Sequence, residues 1–141
     1  MVRRVYDFVA ANGVNQIALW LSALDKFAAG RMHLKLDVLL TAEDDLPPKM
    51  LTDTKESQIK ELRANTKVAM RLLLCKGPDP KLKNEELTLL FGATERDNKY
   101  VPKNALALAE TNRLLVLNDP IAHRILRTSN ADSQKTPALN G

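Results

Sequence analysis

Residues 59–75 read IKELRANTKVAMRLLLC, and they contain two strands whose register can be argued from side-chain chemistry alone. Apolar side chains of an antiparallel pair must share one face, because side chains alternate with a period of two along each strand. Leu62 and Ala64 therefore lie with Val68, Met70 and Leu72. Pairs such as Leu62 with Met70 satisfy this and leave Asn65-Thr66-Lys67 as a three-residue turn, whereas a two-residue turn misplaces every side chain. Glu61, Arg63 and Arg71 then emerge together on the opposite face, with Arg71 roughly opposite Glu61 and Arg63 diagonal to both. Two arginines on one sheet surface suggest a basic face and, among partners, RNA.

Working outward, residues 76–85 are a polar, Pro- and Gly-containing loop, and Leu87 to Ala93 form the next strand of a meander. After the charged stretch TERDNKY, Pro102 precedes a helix on which Ala105, Leu106, Ala109, Asn112, Arg113 and Val116 fall and which Asp119-Pro120 stops. Towards the N-terminus, residues 43–57 collect acids, prolines, Thr and Ser without periodicity and read as a connection. Before it, Ala28, Met32, Leu36 and Leu39 repeat at helical spacing within Lys26 to Ala42. Ile17, Trp20, Leu21 and Leu24 form one face of an earlier helix that Asn12 or Asn15 caps, and the two helices make a hairpin. Residues 3–10, rich in Val, Tyr and Phe, are a first strand ended by Asn12-Gly13. The sum is an α+β domain over residues 1–126: an N-terminal strand and helical hairpin on a small antiparallel sheet, then a C-terminal helix. Residues 127–141 are expected to form a disordered tail.

Composition bounds the function. Of 141 residues, 45% are apolar and 27% charged, which places the chain in the globular range, while 4% aromatic content makes the core mostly aliphatic. A single cysteine, Cys75, lies inside an apolar run, so an intrachain disulfide or a zinc cluster of cysteines is excluded and a buried, inert thiol is expected. No apolar run approaches the ~20 residues that a membrane helix needs, and the N-terminus meets charge early, so the expected location is the cytoplasm with no membrane partner. The net charge of +4 permits nucleic-acid binding without demanding it.

Three stretches together carry a resemblance to a known family: VYDFVAANGVNQIALWLSAL (5–24), IKELRANTKVAMRLLL (59–74) and LLFGATERDNKYVPKNALALAETNR (89–113). Their order resembles the RelE/HigB-like toxins of type II toxin–antitoxin systems, in particular the phage-derived Gp49-like branch. Members carry an ELR-like strand, a following strand with an arginine, and a strand ending in a glycine, then a basic cluster and a proline before a helix. Here these look like Glu61-Leu62-Arg63, Arg71, and Gly92 through Pro102. The resemblance implies a ribosome-dependent, metal-independent endoribonuclease (an mRNA interferase) whose partners are mRNA, the ribosome and a cognate antitoxin, with no cofactor. Self-association is left open.

Metal-free RNA cleavage uses the 2′-hydroxyl as nucleophile and needs a base, cations for the phosphorane and an acid for the leaving oxygen. His33, in a helix, and His123, near the tail, lie off the strands concerned, so a two-histidine mechanism is not expected. The remaining candidates are Arg63 and Arg71 as phosphate clamps, Arg96 and Lys99 as added charge, and Tyr100 as a stacking ring or proton donor. Glu95 stands where many relatives are basic; it is either a general base or the mark of a member that binds without cleaving. The alternatives are thus an inactive RNA- or protein-binding module of the same fold and a phage-derived accessory protein. For each of these side chains the plain reading is a solvated surface charge or, for Arg63 and Arg71, an outward arginine beside Glu61 in a simple cross-strand ion pair.

Overall fold

A computed structural model describes residues 3–42, 46, 49–78 and 86–128. The chain is α+β. Its elements run β1 (Arg4–Phe8), α1 (Gln16–Ala23), α2 (Lys26–Thr41), β2 (Leu51–Asp53), β3 (Lys60–Asn65), β4 (Ala69–Lys76), β5 (Glu86–Arg96), β6 (Lys99–Val101), α3 (Ala105–Asn118), α4 (Pro120–His123) and β7 (Arg124–Leu126). The sheet is larger than the small one expected: among the described residues it has seven strands in the order β2-β3-β4-β5-β1-β7, with β6 also on β5. It is antiparallel except where β1 runs parallel to β5, Val5 opposite Leu87. The eleven-residue β5 is long enough to hold β1 along its first half and β6 along its end, while β4 pairs along its other edge.

Both faces of the sheet are covered, which explains the unbroken apolar run of β4. On one face Ile17 and Leu21 of α1 and Ala28, Met32, Leu36 and Leu39 of α2 pack on Leu62, Ala64, Met70, Leu72 and Leu74. On the other, Ala105, Ala109 and Val116 of α3 pack on Leu73, Cys75, Leu90 and Ala93. A strand buried on both sides needs apolar residues at every position, so Met70 through Cys75 includes only one charged residue, Arg71. Asn15, rather than Asn12, caps α1: its Oδ1 accepts from Ala18 N at 2.9 Å, and its Nδ2 donates to Asp7 at 3.0 Å. α1 lies over β5 and β1 and α2 over β3, so the two helices divide this face of the sheet.

The strand register differs from expectation by one step. Leu62 faces Leu72 and Ala64 faces Met70, so the faces are as expected, but Asn65 and Ala69 also pair and the turn is Thr66-Lys67-Val68. Thr66 decides this: its N–H donates to Val68 O at 3.0 Å and its hydroxyl accepts from Val68 N at 3.2 Å, closing the loop one residue later. Arg63 is therefore directly opposite Arg71, and Glu61 is opposite Leu73.

Three further expectations are corrected. The connection 43–57 contains β2, which adds an edge strand beside β3. The stretch TERDNKY is a hairpin and not merely the lead-in to a helix: Asp97 and Asn98 have φ of 54° and 63°, the conformation a two-residue turn requires and that, after Gly, Asn and Asp tolerate best. After α3 the chain forms α4 and then β7, which pairs antiparallel with β1. Arg127 continues that attachment, its N–H donating to Val5 O at 2.8 Å and its Nε to Asp7 at 2.8 Å. Of the tail expected over 127–141, Arg127 is thus tied to β1, while residues 129–141, and residues 79–85 of the expected loop, lie outside the described residues. No helix among the described residues is long and apolar enough to cross a membrane.

Candidate functional site

The end of the sheet where β3, β4, β5 and β6 meet gathers five of the side chains singled out from the sequence. Strand alternation aims Glu61, Arg63, Arg71 and Glu95 at the face that α3 covers only in part. The hairpin places Tyr100 directly across from Glu95. They form one hydrogen-bonded cluster. Arg71 is buried, and its Nη2 donates to Glu95 Oε2 at 2.8 Å, while its Nη1 donates to Asn65 Oδ1 at 2.9 Å and to Met70 O at 2.8 Å. Glu61, also buried, accepts from Arg63 Nε on one oxygen and from the Tyr100 hydroxyl on the other. Arg71 Nε lies 3.9 Å from Glu61 Oε1, too far for a hydrogen bond, and is left without an acceptor.

The expected basic face is thus electrically balanced: Arg63 is held by Glu61 and Arg71 by Glu95. The register explains the pairing, because two arginines directly opposite one another repel and each turns to a carboxylate. The Glu61 partner raises the Arg63 guanidinium further above its ordinary value. Tyr100 is pushed well above the ordinary phenol range, first by burial and then by its bond to the Glu61 carboxylate, so it is neutral throughout the physiological range.

Beside this cluster opens a cleft of about 780 Å³ lined by Asp53, Thr54, Lys55, Glu95, Asn98, Lys99, Tyr100, Lys103 and Leu106. Glu95 and Tyr100 are the two residues through which cluster and cleft communicate. Three lysines face two carboxylates there, and Asp53 is itself engaged by Lys60, which lowers its carboxyl below the usual range. Arg96 lies beyond the cleft, on a smaller hollow shared with Lys99, Tyr100 and Lys103. The structure thus brings Glu95, Lys99 and Tyr100 into the cleft and sets Arg71 behind Glu95. Arg63 it leaves half-exposed beside Glu61, and Arg96 on the rim.

Sequence reasoning missed Lys55 and Lys103 and underrated Glu61. Glu61 had a readable signal, its position two residues before Arg63 on the same face of one strand. Lys55 had none, since it reaches the cleft only through the unforeseen β2. His33 and His123 are elsewhere: His123 stacks on Phe8 with ring centroids 5.9 Å apart, and His33 sits on α2 with its imidazole pKa lowered, chiefly by burial. Among the described residues no group of three His, Cys, Asp or Glu side chains is placed to hold a metal ion. Chemically the cleft offers a carboxylate with one oxygen outside the Arg71 bond, ammonium groups that attract an anion, and an aromatic ring whose hydroxyl is already committed. No protein-family model, no curated protein and no solved structure matches this chain.

Proposed function

We propose that the chain is an RNA-directed endonuclease domain of the RelE/HigB-like toxin kind, acting in the cytoplasm on mRNA at the ribosome and silenced by a cognate antitoxin. One observation carries this reading: Glu95 and Tyr100, cross-strand neighbours, line a single cleft together with Lys55, Lys99 and Lys103. The order of strand, helices, antiparallel strands and helix is consistent with it. In this reading the 2′-hydroxyl gives its proton to Glu95 and its oxygen attacks the adjacent phosphorus. The bond to the 5′-oxygen breaks, and that oxygen takes a proton from a lysine ammonium, Lys99 or Lys103. The products are a 2′,3′-cyclic phosphate and a 5′-hydroxyl. The lysines also neutralise the phosphorane. Tyr100, its hydroxyl bonded to Glu61 and its ring packed against the core beneath α3, lines the cleft where it presents its ring to a base.

A second reading, a module that binds RNA without cutting it, is favoured by the compensation of both Arg63 and Arg71. One experiment separates the two. Inducible expression in a bacterial host of the wild type, Glu95→Gln and Tyr100→Phe is followed by growth and by mapping message ends. A nuclease gives arrest and new ends that Glu95→Gln abolishes and that Tyr100→Phe, which keeps the ring, largely retains. Folded wild type that binds RNA and leaves every message intact overturns the nuclease reading.

A further inference from the structure

We propose that the Nε/Nη2 edge of Arg71 is a phosphate subsite that Glu95 occupies in the free protein, so that Glu95 acts as an internal competitor for an RNA phosphodiester. The identity of that ligand rests on the reading given above; the subsite rests on the geometry alone. A guanidinium offers two parallel N–H groups along this edge, Nε–H and one Nη2–H, and carboxylates and phosphates commonly take both at once. Here the edge is half used. Glu95 Oε2 takes Nη2 at 2.8 Å, while Nε, buried, has no acceptor within hydrogen-bonding distance. Nη1 is fully committed to Asn65 and Met70, which fixes the plane of the guanidinium, and the Nε/Nη2 edge lies between Glu95, bonded to Nη2, and Glu61, 3.9 Å from Nε.

The two partners differ in exposure in a way that suits displacement. The Arg71 side chain is 7% exposed, and that of Glu95 is 27% exposed and lines the cleft. Glu95 is thus the cover over an otherwise enclosed cation, and it is carried near the end of β5, two residues before the turn of the β5–β6 hairpin. A phosphate entering from the lysine side meets Lys99 and Lys103 first, then exchanges places with the Glu95 carboxylate. Two phosphate oxygens then fill Nε and Nη2, which satisfies the orphaned N–H. The displaced carboxylate stays in the cleft with both oxygens available beside the ribose. Glu61, the other carboxylate nearby, is bonded to Arg63 and Tyr100 and its Oε1 stands 3.9 Å from Nε, short of a hydrogen bond.

The test measures binding with a ligand that cannot be cleaved. A short 2′-O-methyl oligonucleotide, and separately inorganic phosphate, are titrated into wild type, Glu95→Gln, Arg71→Lys and the double variant at low salt, with the Arg71 Nε–H resonance followed by NMR. Glu95→Gln is expected to bind both probes about tenfold tighter, since a like charge facing the ligand has been removed, and the Nε–H resonance is expected to shift on binding. Arg71→Lys, which keeps the charge and loses the fork, removes that gain. No gain in Glu95→Gln, or a gain that survives Arg71→Lys, overturns the subsite. Because no step of this assay depends on cleavage, a protein that binds as described and never cuts RNA sinks only the nuclease reading.

Discussion

Adding one methyl group at Gly92 tests how the sheet and α1 are joined. On β5, Gly92 faces α1, and a Cβ built there falls 2.0 Å from Trp20 Cδ2, 2.4 Å from Cε2 and 2.5 Å from Cε3. Carbon atoms rest at roughly 3.5–4.0 Å, so the indole must retreat by about 1.5 Å or more, and a gap of even 0.5–1 Å forfeits a quarter to a half of the dispersion contact. Trp20 is half-buried and is packed on the larger core cluster. Overpacking of this kind costs roughly 1–3 kcal/mol, and the flat approach of the ring to bare backbone places Gly92→Ala near about 3 kcal/mol. Trp20 is the only tryptophan in the sequence, so its emission reports the site directly. Gly92→Ala should shift the emission to the red and lower the urea midpoint without changing the slope. Trp20→Leu should make the same Gly92→Ala change much milder, a coupling of about 1 kcal/mol or more in a double-mutant cycle. Unaltered emission with a stability change under about 0.5 kcal/mol would refute the packing argument.

Two other consequences concern the buried polar groups. Burial pushes the Cys75 thiol from 9.0 to about 12, so its contribution is fully present below pH 9 and is lost as the pH rises towards 12. Three units correspond to roughly 4 kcal/mol, and Tyr100, raised in the same direction, adds to the loss at the alkaline end. Unfolding of Cys75→Ala should show a flatter decline than wild type over this window; parallel curves would mean that the thiol is accessible to water in the fold. Asp7 is buried between Arg127 and Asn15, and Asp7→Asn leaves the Arg127 guanidinium without its anion at a cost of about 3–5 kcal/mol. Hydrogen exchange should quicken first at β7, including the Arg127 amide, with β3 and β4 protected as before. Uniform quickening would contradict a local role for this ion pair.

The reason α2 was legible is visible in its residues. Ala28, Met32, Leu36 and Leu39 lie on one stripe because the helix repeats every 3.6 residues, and all four are buried. α1 and α3 follow the same logic, as do the faces of β3 and β4. The candidate site was legible in part: Glu95, Lys99 and Tyr100 do meet in one cleft. An arginine paired with Glu61 was legible; that Arg71 pairs with Glu95 was not, because this depends on the choice of register and on the reach of Glu95 from a neighbouring strand. β2, β6 and β7 escaped notice for a related reason. Each is three residues long, too short to display a period, and each forms only because a neighbouring strand presents unpaired backbone groups to it.

By itself the sequence determined the local and periodic features: which stretches are helical, which side of each strand is apolar, that the core is aliphatic and that Cys75 is buried. These follow from side-chain spacing on a helix or strand, which is set within a few residues of chain. Only the tertiary structure decided how the strands are ordered, that β1 lies between β5 and β7, and that Arg71 is enclosed under Glu95 while Lys55 and Lys103 come to the same cleft. Those outcomes depend on contacts between residues tens of positions apart. There the turn at Thr66, the hairpin at Asp97-Asn98 and the ion pairs of Asp7 and Glu86 select among registers and edges that the apolar pattern alone leaves equivalent.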